Sequence, residues 1–140
     1  MTKMIFVSLP VADLARARAF YEAVGFSNDA RFSDDSGAAM VWSDAIYVML
    51  STREKWATFT DRPLPPAGSS EVSLSLAFES RAAVDRFAET AGSMGGTVDV
   101  NPVQDHGFMY ARDVTDPDDH VWGGVWMDPA VAEGDGPPPA

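Results

Sequence analysis

Two histidines, His106 and His120, are the only imidazoles in a chain of 140 residues that contains no cysteine. The missing thiols remove disulfides, thiolate zinc sites and a cysteine nucleophile together. Chemistry must therefore come from imidazole, carboxylate and hydroxyl groups. His106 follows Asp105 and precedes Gly107 at the entrance to a strand-like run. An imidazole there titrates near neutrality and suits general acid/base work or a ligand contact, which makes His106 the catalytic candidate. Side chains alternate along a strand, so His106, Phe108, Tyr110 and Arg112 share a face. Imidazole, two aromatic rings and a guanidinium read as a binding surface, although Arg112 equally suits an ion pair on a solvated edge. His120 closes the turn Asp116-Pro117-Asp118-Asp119 and reads as a solvated loop residue. The same alternation groups Phe6 with Ser8, Tyr47 with Met49 and Ser51, Ser73 with Ser75 and Ala77, and Val121 with Gly123 and Val125.

The elements that must position these side chains occur twice in the same order. Met4 to Leu9 is short and rich in β-formers, and Pro10 is expected to end it. Asp13 is a plausible N-cap for a helix whose apolar stripe is Leu14, Ala17, Tyr21 and Val24, and Gly25 ends that helix. Strands are expected at Ala30 to Phe32, Ala38 to Trp42 and Ala45 to Leu50, separated by Asp34-Asp35-Ser36-Gly37 and Ser43-Asp44. Residues 52–70 hold Trp56 and Phe59 in a short helix and then Pro63, Pro65, Pro66 and Gly68, the composition of a linker. Its aromatics suggest a lid or a dimer contact. A second strand runs from Glu71 to Phe78, and Ser80 caps a helix carrying Val84, Phe87, Ala88 and Ala91. Gly95-Gly96 breaks that helix. Thr97 to Val100, Gly107 to Val114 and His120 to Met127 supply three more strands. Trp122 and Trp126 alternate with Gly123 and Val125 and should face the helices. An offset of 67 residues aligns Leu9 with Leu76, Phe20 with Phe87 and Gly25 with Gly92. The expected organisation is an α+β fold with modules at 1–51 and 71–129, a linker at 52–70 and a disordered Gly, Pro and Ala rich tail at 130–140.

Composition bounds the function. A formal charge of −11 repels phosphate backbones, so nucleic acid is not an expected partner. The acidity reads either as a device for solubility or as a field that attracts a cationic small molecule. No apolar run approaches the ~20 residues of a membrane span, and the opening Met1-Thr2-Lys3 does not resemble a signal peptide. A cytoplasmic protein is expected. The apolar fraction of 46% is ordinary, so folding calls for neither disulfide nor structural metal.

Several motifs carry a resemblance. Leu9-Pro10-Val11-Ala12-Asp13-Leu14, then Phe20-Tyr21 and Gly25-Phe26, resemble the opening strand-turn-helix of the glyoxalase / bleomycin-resistance / extradiol-dioxygenase (vicinal oxygen chelate) superfamily. Asp116-Pro117-Asp118-Asp119-His120 resembles its C-terminal turn. Asp105-His106-Gly107-Phe108-Met109-Tyr110 and Trp126-Met127-Asp128-Pro129 resemble a lactoylglutathione-lyase-like subgroup. The likeness runs from about Met4 to Pro129. It implies two βαβββ modules whose sheets curl into a cup, and commonly a homodimer. In metal-dependent members, four inward side chains hold one divalent cation. Carried over, those positions fall on Phe6, Met49 (or Leu50 by a one-residue slip), Ser75 and Gly123. A phenyl ring, a thioether, a neutral hydroxyl and a glycine are not ligands for such a cation, which takes imidazole nitrogen or carboxylate oxygen at about 2.0–2.2 Å.

The resemblance therefore implies no metal and no cofactor here. It implies a cup lined by Phe6, Ser8, Tyr47, Met49, Ser75 and Gly123, with the glycine leaving room, and the His106, Phe108 and Tyr110 stripe read from strand alternation completes the expected ligand surface. The alternative is that Phe6 and Met49 fill the space as core. Three functions compete. The first is a metal-independent small-molecule binder that sequesters a drug or metabolite. The second is a lyase-like or dioxygenase-like enzyme using non-standard ligands such as His106 with nearby carboxylates. The third is a non-catalytic partner domain.

Overall fold

The computed structural model describes residues 2–132. Its elements run β1 (Ile5–Val11), α1 (Leu14–Val24), β2 (Ser27–Asp29), β3 (Gly37–Ser43), β4 (Ile46–Thr52), α2 (Arg53–Ala57), β5 (Ser73–Ala77), α3 (Arg81–Ser93), β6 (Gln104–Asp105), β7 (Met109–Thr115), β8 (Val121–Met127) and α4 (Pro129–Ala132). The chain forms two compact units. The first carries the residues up to Ser69 together with Pro117–His120, and the second carries Ser70–Asp116 and the chain from Val121. Each holds one four-stranded mixed sheet, in the orders β1-β4-β3-β2 and β5-β8-β7-β6. The outer pairs β1–β4 and β5–β8 are parallel and the rest are antiparallel. The strand-helix-three-strand order repeats, so the fold is α+β, with two βαβββ modules. Of the tail, Ala130–Ala132 belong to α4, and the remainder lies outside the described residues.

In the first unit, Asp13 caps α1 by accepting from the Arg16 N–H at 3.1 Å. Gly25 stops the helix at φ 124°, a backbone region that costs glycine little. The helix buries Ala17, Phe20, Tyr21 and Val24, with Phe20 replacing the expected Leu14. Against them lies the sheet face of Ala38, Met40, Val48 and Leu50, all no more than 1% exposed. Trp42 shares that face and packs on Phe26 with ring centroids 5.1 Å apart. Each large apolar side chain fully buried here contributes roughly 1.5–3 kcal/mol before entropy is counted.

The second unit follows the same plan. Ser80 caps α3 through the Ala83 N–H at 3.0 Å, and Val84, Phe87, Ala88 and Ala91 are buried. Tyr110 pairs with Trp126, Arg112 with Gly124 and Val114 with Trp122 across β7–β8, so these six face α3. A Cβ on Gly124 would stand 2.7 Å from the Phe87 ring, which requires glycine there. Polar contacts then fasten the β6–β7 hairpin. Arg81 donates to both oxygens of Asp105 at 2.9 and 2.8 Å and to the Gly107 carbonyl at 3.0 Å, and it lies over the Tyr110 and Trp126 rings. The Tyr110 hydroxyl donates to Asp85 at 2.6 Å, and Arg112 bridges Asp85 and Asp99.

Four expectations are corrected. β1 continues through Pro10 to Val11, because an edge strand tolerates a proline without an N–H. Residues 30–32 form a 3-10 turn rather than a strand, since Asp29 accepts from the Arg31 N–H at 3.1 Å and captures the backbone locally. Residues 97–100 supply only an isolated bridge between Val98 and Val114, with Asp99 at φ 54° interrupting the run. The short helix expected to hold both Trp56 and Phe59 is α2, which follows β4 without a gap and is capped by Thr52, but it ends at Ala57 and leaves Phe59 beyond it.

Two outcomes follow from this packing. Gly124→Ala should destabilise the protein by roughly 1–3 kcal/mol in chemical denaturation, with Phe87→Leu in the same chain recovering part of the loss. The second concerns Asp105, which the Arg81 guanidinium and then the Gly107 N–H hold down at about 2, below the ordinary 3.8. Its contribution is complete above that ordinary value and fades as pH falls through about 2. Hydrogen exchange at the Gly107 and His106 amides, which donate to the Asp105 carboxylate and the Met109 carbonyl, should therefore accelerate at that acid limit in the native chain, and already near neutral pH in Arg81→Met.

Candidate functional site

Each sheet has a second face, turned away from its helix. In the first unit, β1 and β4 are registered so that Phe6 opposes Tyr47 and Ser8 opposes Met49, with Ser51 two residues further on. Phe6 and Tyr47 stack with centroids 5.1 Å apart, and Phe6 is 59% exposed. Ser8 and Met49 form part of the wall of a hollow of about 290 Å³. The volume falls just under the range typical of small-molecule sites, about 300–1,000 Å³.

Local structure supplies the remaining walls. The Asp34–Gly37 turn is closed by the Asp34 N–H donating to the Gly37 carbonyl at 2.8 Å, and Ser36 reaches across to accept from Thr52. Asp34 sits at the hollow with one carboxylate oxygen receiving the Ser36 hydroxyl, the Ser36 N–H and the Gly37 N–H at 2.8, 2.8 and 3.0 Å. The Ser36 hydroxyl does most to hold its pKa below the usual carboxylate value, and Lys55 adds a smaller attraction. Helix α2 carries Lys55 to the same rim. Phe59, four residues on, lies under the ammonium at 5.6 Å, in a turn tightened by the Thr58 and Phe59 N–H groups. Phe32, from the 3-10 turn, completes the wall; it is 65% exposed and Phe59 is 66% exposed. A half-buried thioether, hydroxyls, one ammonium and two open rings can hold a small organic molecule with a polar end.

The outward face of the second sheet is different. Ser75 opposes Gly123, which opposes Asp113. A Cβ on Gly123 would lie 2.8 Å from the Ser75 hydroxyl oxygen and 2.9 Å from an Asp113 carboxylate oxygen. The glycine makes room for those two side chains, not for a ligand as expected. Asp113 also accepts from the Asn101 amide at 2.9 Å. Asp113 was not among the expected site residues, though its alternation with Arg112 and Val114 would have placed it opposite them.

The expected ligand set is thus divided. Phe6, Ser8, Tyr47 and Met49 share one face of the first sheet, and Ser75 and Gly123 one face of the second. Tyr110 leaves the set: it faces α3 with Arg112, because both find Asp85 there. His106 and Phe108 lie on the exposed hairpin beyond β6, with rings 6.1 Å apart. His120 is half-buried and anchored rather than a free loop residue: its Nε2 is 2.8 Å from the Pro10 carbonyl, while Asp118 accepts from the Ala12 N–H at 2.8 Å. Both tie the Asp-Pro turn to the first unit. Trp122 and Trp126 face α3 as expected. Phe59, read as a lid or dimer contact, lines the hollow. Neither outward face presents three metal donors, and among the described residues no three His, Asp or Glu side chains come together to hold an ion. Asp113 is a single carboxylate already bound to Asn101, so the donor set does not fit a divalent cation.

Comparison with known proteins gives the same architecture. Hypothetical protein SA1046 from S. aureus superposes with a TM-score of 0.76 at 23% identity, covering 91% of this chain and 95% of that one. A glyoxalase/bleomycin resistance protein/dioxygenase family enzyme from Burkholderia phytofirmans gives 0.73 at 16% identity, covering 90% and 99%. The fosfomycin resistance protein FosX from Mesorhizobium loti gives 0.66 at 17%, covering 90% and 92%. No curated protein sequence matches the chain. The sequence profile of one family matches residues 3–123, most of the chain and both modules. The chain therefore belongs to the Glyoxalase/Bleomycin resistance protein/Dioxygenase superfamily.

Proposed function

We propose that this protein is a metal-independent small-molecule binder that sequesters a drug or metabolite. The observation that carries this is the hollow on the first sheet, where Met49 and Ser8 meet two exposed phenylalanines at a volume suited to a small ligand. Exposed aromatic side chains beside a half-buried apolar floor are costly in water unless something covers them. The chemistry of Phe6, Met49, Ser75 and Gly123 supports metal independence, since none carries an imidazole or carboxylate. The fosfomycin resistance protein among the structural neighbours supports a resistance-type role only through the shared fold. A homodimer in the cytoplasm, as the resemblance implies, belongs to the same proposal, and the exposed Ile5 and Phe6 on an edge strand support the dimer.

Elemental analysis of protein purified without chelator should find no stoichiometric zinc, nickel, manganese or iron. One equivalent per chain would instead favour a lyase-like or dioxygenase-like enzyme with non-standard ligands. Thermal-shift screening against small aromatic acids, aromatic amines and glutathione thioesters should yield a stabilising compound. Met49→Trp, which fills the hollow, should weaken that compound about tenfold or more while the chain stays folded.

A further inference from the structure

We infer that the hollow on the first sheet selects a small organic anion, an apolar ring-sized body ending in a carboxylate or similar acid, with Lys55 as the residue that recognises its charge. This deepens the small-molecule reading and rests on it. Lys55 is exposed at the rim, and among the described residues no carboxylate forms an ion pair with it. Its ammonium lies over the Phe59 ring and feels a minor attraction from Asp34. Asp34, the acid of the same rim, has one oxygen committed to three donors of its own turn, so its charge is already answered by hydroxyl and amide dipoles.

The hydroxyls point the same way. Ser51 is only 8% exposed, lines the hollow, and makes no side-chain hydrogen bond among the described residues. Ser8 is likewise unpartnered on the adjoining strand. Ser8 is exposed, and the oxygen of Ser51, in a residue otherwise buried, is reached by solvent, so both hydroxyls can exchange a water for a ligand oxygen. Two open hydroxyls and an ammonium can all donate to an acid's oxygens, and charge assistance makes the lysine contact the strongest of them, so it is Lys55 that sets the preference for an anion. The formal charge of −11 does not oppose this locally, because exposed charges farther away than about 8 Å are largely screened at physiological salt. Phe32, Phe59 and Met49 then cover the apolar body.

Three probes with one body and different heads test this by isothermal titration: 3-phenylpropionate, 3-phenylpropanol and 3-phenylpropylamine. The acid should bind about tenfold or more tightly than the other two. Lys55→Gln should reduce acid affinity to that of the alcohol, and Lys55→Arg should retain most of it. Tighter binding of the amine or alcohol, or unchanged acid affinity in Lys55→Gln, overturns the inference. If in that case Met49→Trp still blocks binding, the small-molecule reading survives alone. If none of the three binds at up to about 10 mM, both fail.

Discussion

Everything in this molecule depends on a helix lying against one face of each sheet. Strand pleating sends alternate side chains to opposite faces, so packing α1 on Met40, Val48 and Leu50 commits those positions to core and frees Ser8, Met49 and Ser51 on the other side. The same division in the second unit commits Tyr110, Arg112, Val114, Trp122, Gly124 and Trp126 to α3 and releases Ser75, Asp113 and Gly123. A slip of one residue would exchange the two sets completely, which is why the buried face fixes the register so firmly.

The two modules show how a duplicated plan diverges. Ser8 and Ser75 occupy equivalent places 67 residues apart, and their partners are Met49 and Gly123. In the first module the large partner leaves an apolar floor under a hollow. In the second, the glycine admits the Asp113 carboxylate beside Ser75. Equivalent backbone positions thus became an apolar binding wall on one sheet and a small polar cluster on the other. The lysine that completes the hollow comes from α2 and Phe59 from the turn just after it; α2 is an addition after β4 for which no equivalent helix follows β8 directly, since one residue, Asp128, intervenes before α4.

Charged and aromatic side chains on an exposed strand can bind a ligand or bind each other. At Tyr110 and Arg112 the protein chose the second. Asp85 on α3 receives both the phenol and the guanidinium, and this pushes the Tyr110 pKa up while holding Asp85 down, each mainly through the hydrogen bond they share. Arg81 does the same for Asp105 and stacks on two rings. The stripe that reads as a binding surface is thereby the fastening of a hairpin to its helix.

Local signals carried most of the fold. Asp13 and Ser80 marked both helix starts, the apolar spacing of Val84, Phe87, Ala88 and Ala91 marked the buried side of α3, and the repeated element order fixed the architecture. These follow from hydrogen bonding and periodicity within a few residues, which sequence displays directly. The poverty of metal donors at Phe6, Met49, Ser75 and Gly123 was equally plain, because it is a matter of side-chain chemistry. What tertiary structure alone decided was partnership. Asp85 and Tyr110 are separated by 25 residues, His120 and Pro10 by 110. Lys55 meets Asp34 and Ser8 only because β4 runs beside β1 and delivers α2 to the turn after β2. Whether a polar side chain is free to bind a ligand depends on what stands opposite it in space, and only long-range packing settles that.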